Sequence, residues 1–539
     1  MSVTPLSPLS IFPPSDTRDR LPVWVIILLG LFLALRIAEL VGDLSAGRSG
    51  HLSSLTGQTD EKTMSATITT SWEAKSAYLT SYGKAGAAAP DPVTLRGALK
   101  SAETLQKGSQ NSPGAARRVI VLRALLHLPL LGPGPNGLDP AKAFAPAALA
   151  GLSPAETRRY TDEGKLWADV AQGPHLSPAQ TASAASVLRQ TPNIRWWLGP
   201  SLSVLYQSQG NPRLARHFAE NARSQALTTL GPLLILLLFW FGLGLLGVGL
   251  LLALLSRKLE ALSLPPDTRQ SPGFWPTLRE TVPLPERRLR AGDLLGVFVL
   301  YLLMPNVIGW LLGGFNLHHG RHHLNVHGLI QPYRAHLAAL PASDRVAALV
   351  VIEFFAYLLG AAIPVGVLWV IARKKRASIT EELGFNTHRL GWNLLYGVGG
   401  YAIALPLLFL GQSVGSHIPG PTPSNPAIPL MANAGTLWVQ LLLAGLATLA
   451  APLAEEFLFR GVFYNAAKLK VGVWPAIILT GLIFGFVHPV GIAAMLPLAV
   501  LGGVFAWMAE TRKSLVPGMV GHFLQNSMAT LMLLLALGS

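Results

Sequence analysis

Nine apolar runs divide the chain, each long enough to cross a membrane as a helix. The first, "LPVWVIILLGLFLALRIAEL", begins at Leu21 and is followed by no small-residue cleavage site, so residues 1–41 are predicted to hold an uncleaved signal-anchor span. Eight more runs lie at about residues 230–255, 294–314, 346–371, 391–411, 435–454, 474–490, 491–509 and 515–537. A membrane-spanning helix needs about 20 mostly apolar residues. The pattern therefore predicts an all-α, polytopic membrane bundle of about nine spans.

Residues 42–227, between the first two runs, have a different composition. Ala, Ser, Thr and Gln dominate, charges are scattered, and apolar residues recur at helical spacing. Breaks such as "GPGPNGLDP" interrupt the pattern, as expected between helices. This segment is predicted to be a soluble helical domain. Residues 228–372 would then hold spans two to four, and residues 373–539 a membrane core.

The basic residues indicate how the spans are oriented. The loop at 257–292 contains "ERRLR" and is rich in Lys and Arg, which is typical of cytoplasmic loops. Counting spans from this loop places "RKKR" at 373–376, Lys468, Lys470, Arg512 and Lys513 on the same side of the membrane. The domain at 42–227 is then predicted to be extracytoplasmic.

Composition supports a membrane protein and excludes several function classes. Of the 539 residues, 50% are hydrophobic and only 13% are charged, and the formal net charge is +15. The basic residues lie beside apolar runs rather than among exposed aromatic residues, so membrane topology explains them and nucleic acid is not expected as a partner. The chain has no cysteine, which excludes disulfides, thiolate metal sites and a cysteine nucleophile.

Two glutamates and an arginine stand at the end of the sixth run, in "APLAEEFLFRG". An ionised group inside a bilayer costs on the order of 3 kcal/mol, so each needs a partner or a function. Glu456 and Arg460 are four residues apart on one helical face, where they can pair, whereas Glu455 points about 100° away. An ion pair at the helix end explains Glu456 and Arg460 as well as a functional role does. Glu455 has no local partner of this kind.

Three further polar residues interrupt the last spans. His488 follows Phe484 by one helical turn, and His522 and Asn526 share a helical face in "GHFLQNSMA". A buried histidine that packs in the core, or a hydrogen bond between spans, would account for each alone. Together with Glu455 they supply what amide hydrolysis needs, because Glu and His hold and deprotonate water while His and Asn donate to an oxyanion.

These residues fall into three motifs on successive spans: Glu455-Glu456-x-x-x-Arg460, Phe484-x-x-x-His488 and His522-x-x-x-Asn526. The set resembles the motifs of the CPBP family, which comprises type II CAAX prenyl endopeptidases and bacterial proteins linked to bacteriocin processing and self-immunity. The resemblance covers roughly residues 380–535 and implies an intramembrane peptidase.

The resemblance also implies a role for each motif residue. Glu455 would be the general base that activates water and His488 would help to position that water. Glu456 would be a second acidic residue held by Arg460. His522 and Asn526 would form the oxyanion pocket.

The resemblance leaves the cofactor open. Glu455, His488 and His522 would ligate zinc if the site uses a metal, and would otherwise act as a metal-free glutamate site, which is the favoured alternative.

The predicted function is therefore hydrolysis of a peptide bond near the cytoplasmic side, with a peptide or protein in or at the membrane as substrate. The predicted location is the cytoplasmic (inner) membrane of a bacterium. The alternative is a non-catalytic membrane scaffold or immunity-like protein that binds a peptide or partner with the same polar groups. The 42–227 domain would be the place for a further protein partner.

Overall fold

The computed structural model describes most of residues 61–537, with its longest gaps at 81–89, 264–287 and 419–429. Before residue 61 it describes only Val25, Ile27, Gly30 and Phe32, all of them helical, so the predicted first span lies mostly outside the described residues. The chain divides into two compact units, one of residues 57–238 with 531–539 and one of residues 1–56 with 239–530.

The described secondary structure of the unit of residues 57–238 consists of helices joined by turns and irregular segments. Its helices are α1 (Glu61–Thr80), α2 (Pro92–Gly108), α3 (Pro113–Leu125), α4 (Pro154–Ala171), α5 (Pro178–Gln190), α6 (Leu198–Ser208) and the first part of α7 (Pro212–Ser263), with short 3-10 turns at Pro140–Phe144 and Arg195–Trp197. Local sequence explains the start of α5. The Ser177 hydroxyl caps α5 and the Gln180 side chain returns the bond, while Pro178 supplies the first helical φ.

A buried ion pair lies in the core of this unit. Arg117 donates to both carboxylate oxygens of Glu163, at 2.5 and 2.8 Å, and both side chains are almost fully buried. The indole N–H of Trp167, itself fully buried, donates to the same carboxylate at 3.2 Å. Charges so deeply buried are tolerated only when they are paired and hydrogen-bonded, so this cluster joins α3 and α4 in one arrangement.

The unit of residues 239–530 is a bundle of apolar helices. They are the remainder of α7, then α8 (Ala291–Gly313), α9 (Ala342–Lys375), α10 (Leu390–Gly415), α11 (Leu437–Val471), α12 (Val473–Val487), α13 (Ile492–Arg512) and α14 (Val516–Leu537), with short helical turns at Gln331–Tyr333 and Ile379–Leu383. Six helices in the described part of the chain, within α7 to α11 and α13, are long and apolar enough to cross a membrane. The chain is a polytopic helical membrane protein, as predicted.

Each of the eight runs predicted from residue 230 onward coincides with a helix, but two of these helices extend far beyond their runs. The helix α7, which holds the run predicted at about 230–255, begins at Pro212, and the run predicted to end at residue 454 continues as α11 to Val471. The motif with Glu455 and Glu456 therefore lies in the middle of a long helix rather than at its end. In contrast, α12 has 15 residues and is about 22 Å long, shorter than the ~30 Å apolar core of a bilayer.

A small β-hairpin interrupts the otherwise helical architecture between α8 and α9. Strands β1 (Gly314–His319) and β2 (His322–His327) pair antiparallel, with Gly314 opposite His327 and His319 opposite His322. The segment is rich in histidine. Alternating apolar and polar residues in "FNLHH" and "HHLNVH" fit the two-residue period of a strand.

Close packing between α12 and α13 depends on glycine. A Cβ on Gly481 would lie 2.4 Å from the Ala499 carbonyl oxygen, and one on Gly485 would lie 2.3 Å from the Met495 carbonyl oxygen. Small residues four apart let two helix backbones approach closely where lipid supplies no hydrophobic drive for association. This contact fixes the end of α12, from which His488 follows.

The basic segments meet at one end of the bundle. Lys375, at the end of α9, pairs with Asp293 at the start of α8. Lys468 of α11 contacts Glu510 of α13 at 2.8 Å, and Lys513 contacts the same carboxylate. The Leu515 backbone N–H, shortly after Lys513, donates to the Gly384 carbonyl oxygen, in the segment after α9. Lys375, Lys468 and Lys513 therefore share one end of the bundle, which we call the basic end.

Candidate active site

The two adjacent glutamates lie where α11 departs from regular α-helix. Residues Ala451–Glu456 are α-helical, but Leu446–Ala450 and Phe457–Tyr464 on either side are π-helical. Short π-helical segments inside α-helices are rare and concentrate at functional sites. Glu455 is 9% exposed and Glu456 is fully buried. The sequence therefore places two carboxylates inside the bundle, on a helix whose geometry is locally adjusted.

Arg460 is the buried cation beside Glu456. Its Nη1 lies 2.8 Å from Glu456 Oε1 and its Nη2 donates to the Gly502 carbonyl oxygen at 3.0 Å. The guanidinium also lies 4.6 Å from the centre of the Phe484 ring and 5.3 Å from that of Phe505. An aromatic face attracts a cation, so these rings compensate part of the lost hydration. The pairing four residues apart is the one that the sequence predicted.

Glu456 also holds His522. The imidazole Nδ1 lies 3.1 Å from Glu456 Oε1, the oxygen that also accepts from Arg460. The other oxygen, Oε2, has no hydrogen bond within the part of the chain described, and a Cβ on Gly518 would lie 2.4 Å from it. Glycine at 518 therefore leaves space for this carboxylate beside the first turn of α14.

His488 follows directly after the last residue of α12. Its Nδ1 lies 2.6 Å from the Phe484 carbonyl oxygen, so Nδ1 carries the proton and donates. Its ring lies 4.6 Å from the Phe484 ring, centre to centre. The Phe484-x-x-x-His488 motif thus fixes the tautomer and the orientation of one imidazole, and leaves Nε2 directed at Glu455.

Both imidazoles face one oxygen of Glu455. Glu455 Oε2 lies 3.7 Å from His488 Nε2 and 4.0 Å from His522 Nε2. In each ring Nδ1 is already engaged, by Phe484 or by Glu456, so Nε2 is the atom with a lone pair in the neutral form. These separations are too long for direct hydrogen bonds and suit a small molecule held between the groups.

Asn526 reaches the same region from α14. Its Nδ2 donates to the Ala447 carbonyl oxygen at 2.8 Å, within the first π-helical segment of α11. A π-helical turn leaves a backbone carbonyl without its usual helical partner, and the amide of Asn526 supplies one. The second Nδ2 hydrogen is not used by this bond. All six residues singled out by the sequence thus come together around α11.

One further side chain at the site belongs to none of the three motifs. The Tyr357 hydroxyl on α9 donates to Glu455 Oε1 at 3.4 Å. Tyr357 lies in "VVIEFFAYLLG", four residues after Glu353, and no motif marks it. A tyrosine among apolar residues in a span was the available signal, but tyrosine is also common in apolar cores.

Because α11 extends beyond residue 454, Glu455 lies deeper in the bundle than the predicted span would place it. With a span ending at 454, Glu455 would lie at a helix end, whereas His488 would lie about 20 Å from the start of its own span at Trp474. In the structure Glu455 is 13 residues before Lys468, or roughly 20 Å from it along the helix. Glu455 and His488 are therefore at the same level of the bundle.

The residues named for a zinc site fit the metal by type and by tautomer. Zinc binds His nitrogen and Glu oxygen, and a ligating His normally donates its other N–H to a carboxylate or carbonyl. Glu455, His488 and His522 meet those conditions. Their spacing fits less well, because four-coordinate zinc with bonds of about 2.1 Å holds its ligand atoms about 3.4 Å apart. No group of three His, Asp or Glu among the described residues has a spacing that could hold a metal ion.

Comparison with known families supports the resemblance drawn from the motifs. Residues 436–528 match the model of the family described as type II CAAX prenyl endopeptidase Rce1-like. The match includes Glu455, Glu456, Arg460, His488, His522 and Asn526. It begins after α9, α10 and the unit of residues 57–238, which it does not cover. No curated protein and no solved structure matches the chain. The family is one of endopeptidases, which supports an enzyme that acts on peptides at the membrane.

Proposed function

We propose that this protein is an intramembrane endopeptidase that hydrolyses a peptide bond with a water molecule activated by Glu455. One observation carries the proposal: Glu455 Oε2 faces the Nε2 atoms of His488 and His522 at 3.7 and 4.0 Å. The family match at residues 436–528 supports the reaction class. The contacts support the assignment of roles.

Water activation follows from the orientation of the three groups. A water molecule between Glu455 and His488 would give one hydrogen bond to Glu455 Oε2 and one to His488 Nε2. Glu455 would take the first proton as the water oxygen attacks the carbonyl carbon of the scissile bond. A positioned general base contributes about 10²- to 10⁴-fold to such reactions. His488 would act by orienting the water.

The tetrahedral intermediate carries a negative oxygen, which needs donors that are already in place. Asn526 would supply its second Nδ2 hydrogen, because the first is held by the Ala447 carbonyl. His522 would supply Nε2–H when its ring is protonated, with Nδ1–H held by Glu456. Preorganised donors in a dry site typically contribute about 10²- to 10³-fold each.

Product formation returns the proton that Glu455 received. Glu455 would donate it to the leaving amine nitrogen as the carbon–nitrogen bond breaks, and the hydroxyl of the former water stays on the new carboxyl group. The step consumes one water molecule and leaves the enzyme unchanged. Glu456 and Arg460 would take no part in proton transfer and would hold His522 in place.

We propose a metal-free site, because the 3.7 and 4.0 Å separations are wider than zinc ligands require. Were zinc bound, Glu455, His488 and His522 would hold it, and it would lower the pKa of a bound water molecule. The protein residues around the three groups would keep the same orienting roles.

We further propose that the basic end faces the cytoplasm of a bacterial cell and that peptides enter from that side to reach the site, which lies roughly 20 Å from that end along α11. The clustered Lys and Arg residues at that end support this orientation. The domain predicted at residues 42–227 would then be extracytoplasmic, where it would bind a partner protein.

The test is proteolysis of a synthetic membrane-peptide library by the purified full chain in detergent, read by mass spectrometry. Glu455→Gln should abolish every product seen with the wild-type protein. Glu381→Gln and His417→Ala, which change exposed residues of the same bundle, serve as matched controls and should cleave normally. Products that persist with Glu455→Gln would overturn the proposed role of Glu455.

A further inference from the structure

A tyrosine from outside the matched segment contacts the proposed general base. The Tyr357 hydroxyl donates to Glu455 Oε1 at 3.4 Å. Tyr357 belongs to α9, whereas the family match begins at residue 436. The match therefore does not account for this contact, although it involves the central carboxylate of the site.

The two oxygens of Glu455 have different surroundings. Oε1 accepts from Tyr357, while Oε2 faces His488 and His522 and has no hydrogen bond within the described residues. A carboxylate on a flexible side chain can rotate away from the groups that it faces. A donor fixed on a neighbouring helix restricts that rotation when it holds one oxygen. Tyr357 therefore fixes the orientation of the carboxylate, with its other oxygen turned toward the imidazoles.

The position of Tyr357 is itself supported. Tyr301 on α8 is a close neighbour of Tyr357. The Tyr301 ring packs edge-on against Phe459, at 6.2 Å between centres, and at a tilt against Phe298, at 6.3 Å. Packing of Tyr301 against Phe298 of α8 and Phe459 of α11 therefore supports the place that Tyr357 occupies beside Glu455.

We infer that Tyr357 is a positioning residue of the proposed hydrolytic site, holding Glu455 so that Oε2 receives the proton of the attacking water. The inference rests on the proposed function, since it assigns a role within that reaction. It also extends the catalytic assembly to α9, a helix that the family match does not reach. In the proposed role, Tyr357 contacts neither the attacking water nor the substrate and acts through Glu455.

The kinetic test compares Tyr357→Phe with the wild-type protein on a peptide that the wild-type protein cleaves. Loss of a hydrogen bond to a charged group should lower kcat by about ten- to a hundredfold. KM should stay the same, because the hydroxyl does not contact substrate. Tyr464→Phe is the matched control, since Tyr464 also donates to a buried carboxylate, Glu510 Oε2, at 2.9 Å. That variant should keep the wild-type kcat.

A second measurement does not depend on activity. The thermal midpoint is measured for Tyr357→Phe, Glu455→Ala and the double variant, and again with Tyr464→Phe in place of Tyr357→Phe. The Tyr357 effect should largely vanish once Glu455 is absent, whereas the Tyr464 effect should add to that of Glu455→Ala. Non-additive midpoints in the Tyr357 cycle, together with additive midpoints in the Tyr464 cycle, would establish the contact in the folded protein.

The outcomes separate the two proposals. Full kcat in Tyr357→Phe, or additive midpoints in the Tyr357 cycle, would overturn the role of Tyr357 while leaving Glu455 as the base. Activity that survives Glu455→Gln would instead remove the proposed function, whatever Tyr357 does. A fall in kcat with unchanged KM, together with the coupled midpoints, would establish the positioning role.

Discussion

His522 Nδ1 and Arg460 Nη1 bind the same oxygen of Glu456, at 3.1 and 2.8 Å. Glu456 therefore binds both a histidine of α14 and an arginine of its own helix. The sequence assigned Glu456 to Arg460 alone. The shared oxygen means that a change at Glu456 acts on the active site through His522 as well as on the fold through Arg460.

Glu456→Ala should lower the free energy of unfolding by about 3–5 kcal/mol, because it leaves the fully buried Arg460 without its carboxylate. Thermal unfolding of the purified protein in detergent, followed by tryptophan fluorescence, measures the change. Glu381→Ala removes an exposed glutamate and should shift the midpoint little. A Glu456→Ala protein as stable as the control would contradict the buried pair.

Gly518→Ala should impair catalysis more than folding. The new Cβ would lie 2.4 Å from Glu456 Oε2, so the carboxylate must move and take His522 with it. A misplacement of about 1 Å in a catalytic group can cost about a hundredfold in rate. We expect kcat to fall at least tenfold. The same substitution at Gly309, where a Cβ meets nothing within 4 Å, should leave kcat unchanged. Equal kinetics for the two variants would count against this geometry.

Metal removal should leave activity intact. In the metal-free mechanism the water is activated by Glu455 directly, so a strong zinc chelator should not change kcat. The zinc content of the purified protein is measured in the same samples by elemental mass spectrometry. Activity that disappears with chelator and returns with added zinc would show that Glu455, His488 and His522 hold a metal.

Glu163→Ala should destabilise residues 57–238. It would leave Arg117 buried without its carboxylate and remove the acceptor of the Trp167 indole, at a cost of about 3–5 kcal/mol. Limited proteolysis of the full chain should then cut this unit at lower temperature than in the wild-type protein. The control is Asp162→Ala, since Asp162 is half exposed and lies 3.9 Å from an exposed Lys165. Identical cleavage of both variants would refute the structural role of the pair.

Much of this architecture could be predicted from the sequence, because two strong signals carry it. Long apolar runs locate helices regardless of tertiary contacts, and residues four apart meet on one face, as Glu456 and Arg460 do. The motif order then identified the residues that gather around α11. The end of the sixth run was misplaced because a run of apolar residues ends at a charge, whereas the helix continues when that charge is buried and paired.

Other features lay beyond the sequence for physical reasons. The contact between Tyr357 and Glu455 joins residues 98 positions apart, and only the packing of α9 against α11 creates it. The π-helical segments have no residue signature of their own. The bond from His522 to Glu456 depends on where α14 begins, next to Gly518, and helix spacing within one span does not reveal that.

The two π-helical segments that flank the glutamates make α11 adjustable in rotation. A π-helical turn contains one residue more than a regular α-helical turn. Because each helical residue adds about 100° of rotation, gaining or losing that extra residue rotates one part of the helix relative to the next. Deleting one residue from Leu446–Ala450 would rotate Leu437–Gly445 about its own axis and change the contact of Asn526 with the Ala447 carbonyl, while Glu455 and Glu456 keep their contacts with Arg460, His488 and His522. The chain thus has a point at which the surface beside the active site can diversify by insertion and deletion, without any substitution among the residues proposed to perform the reaction.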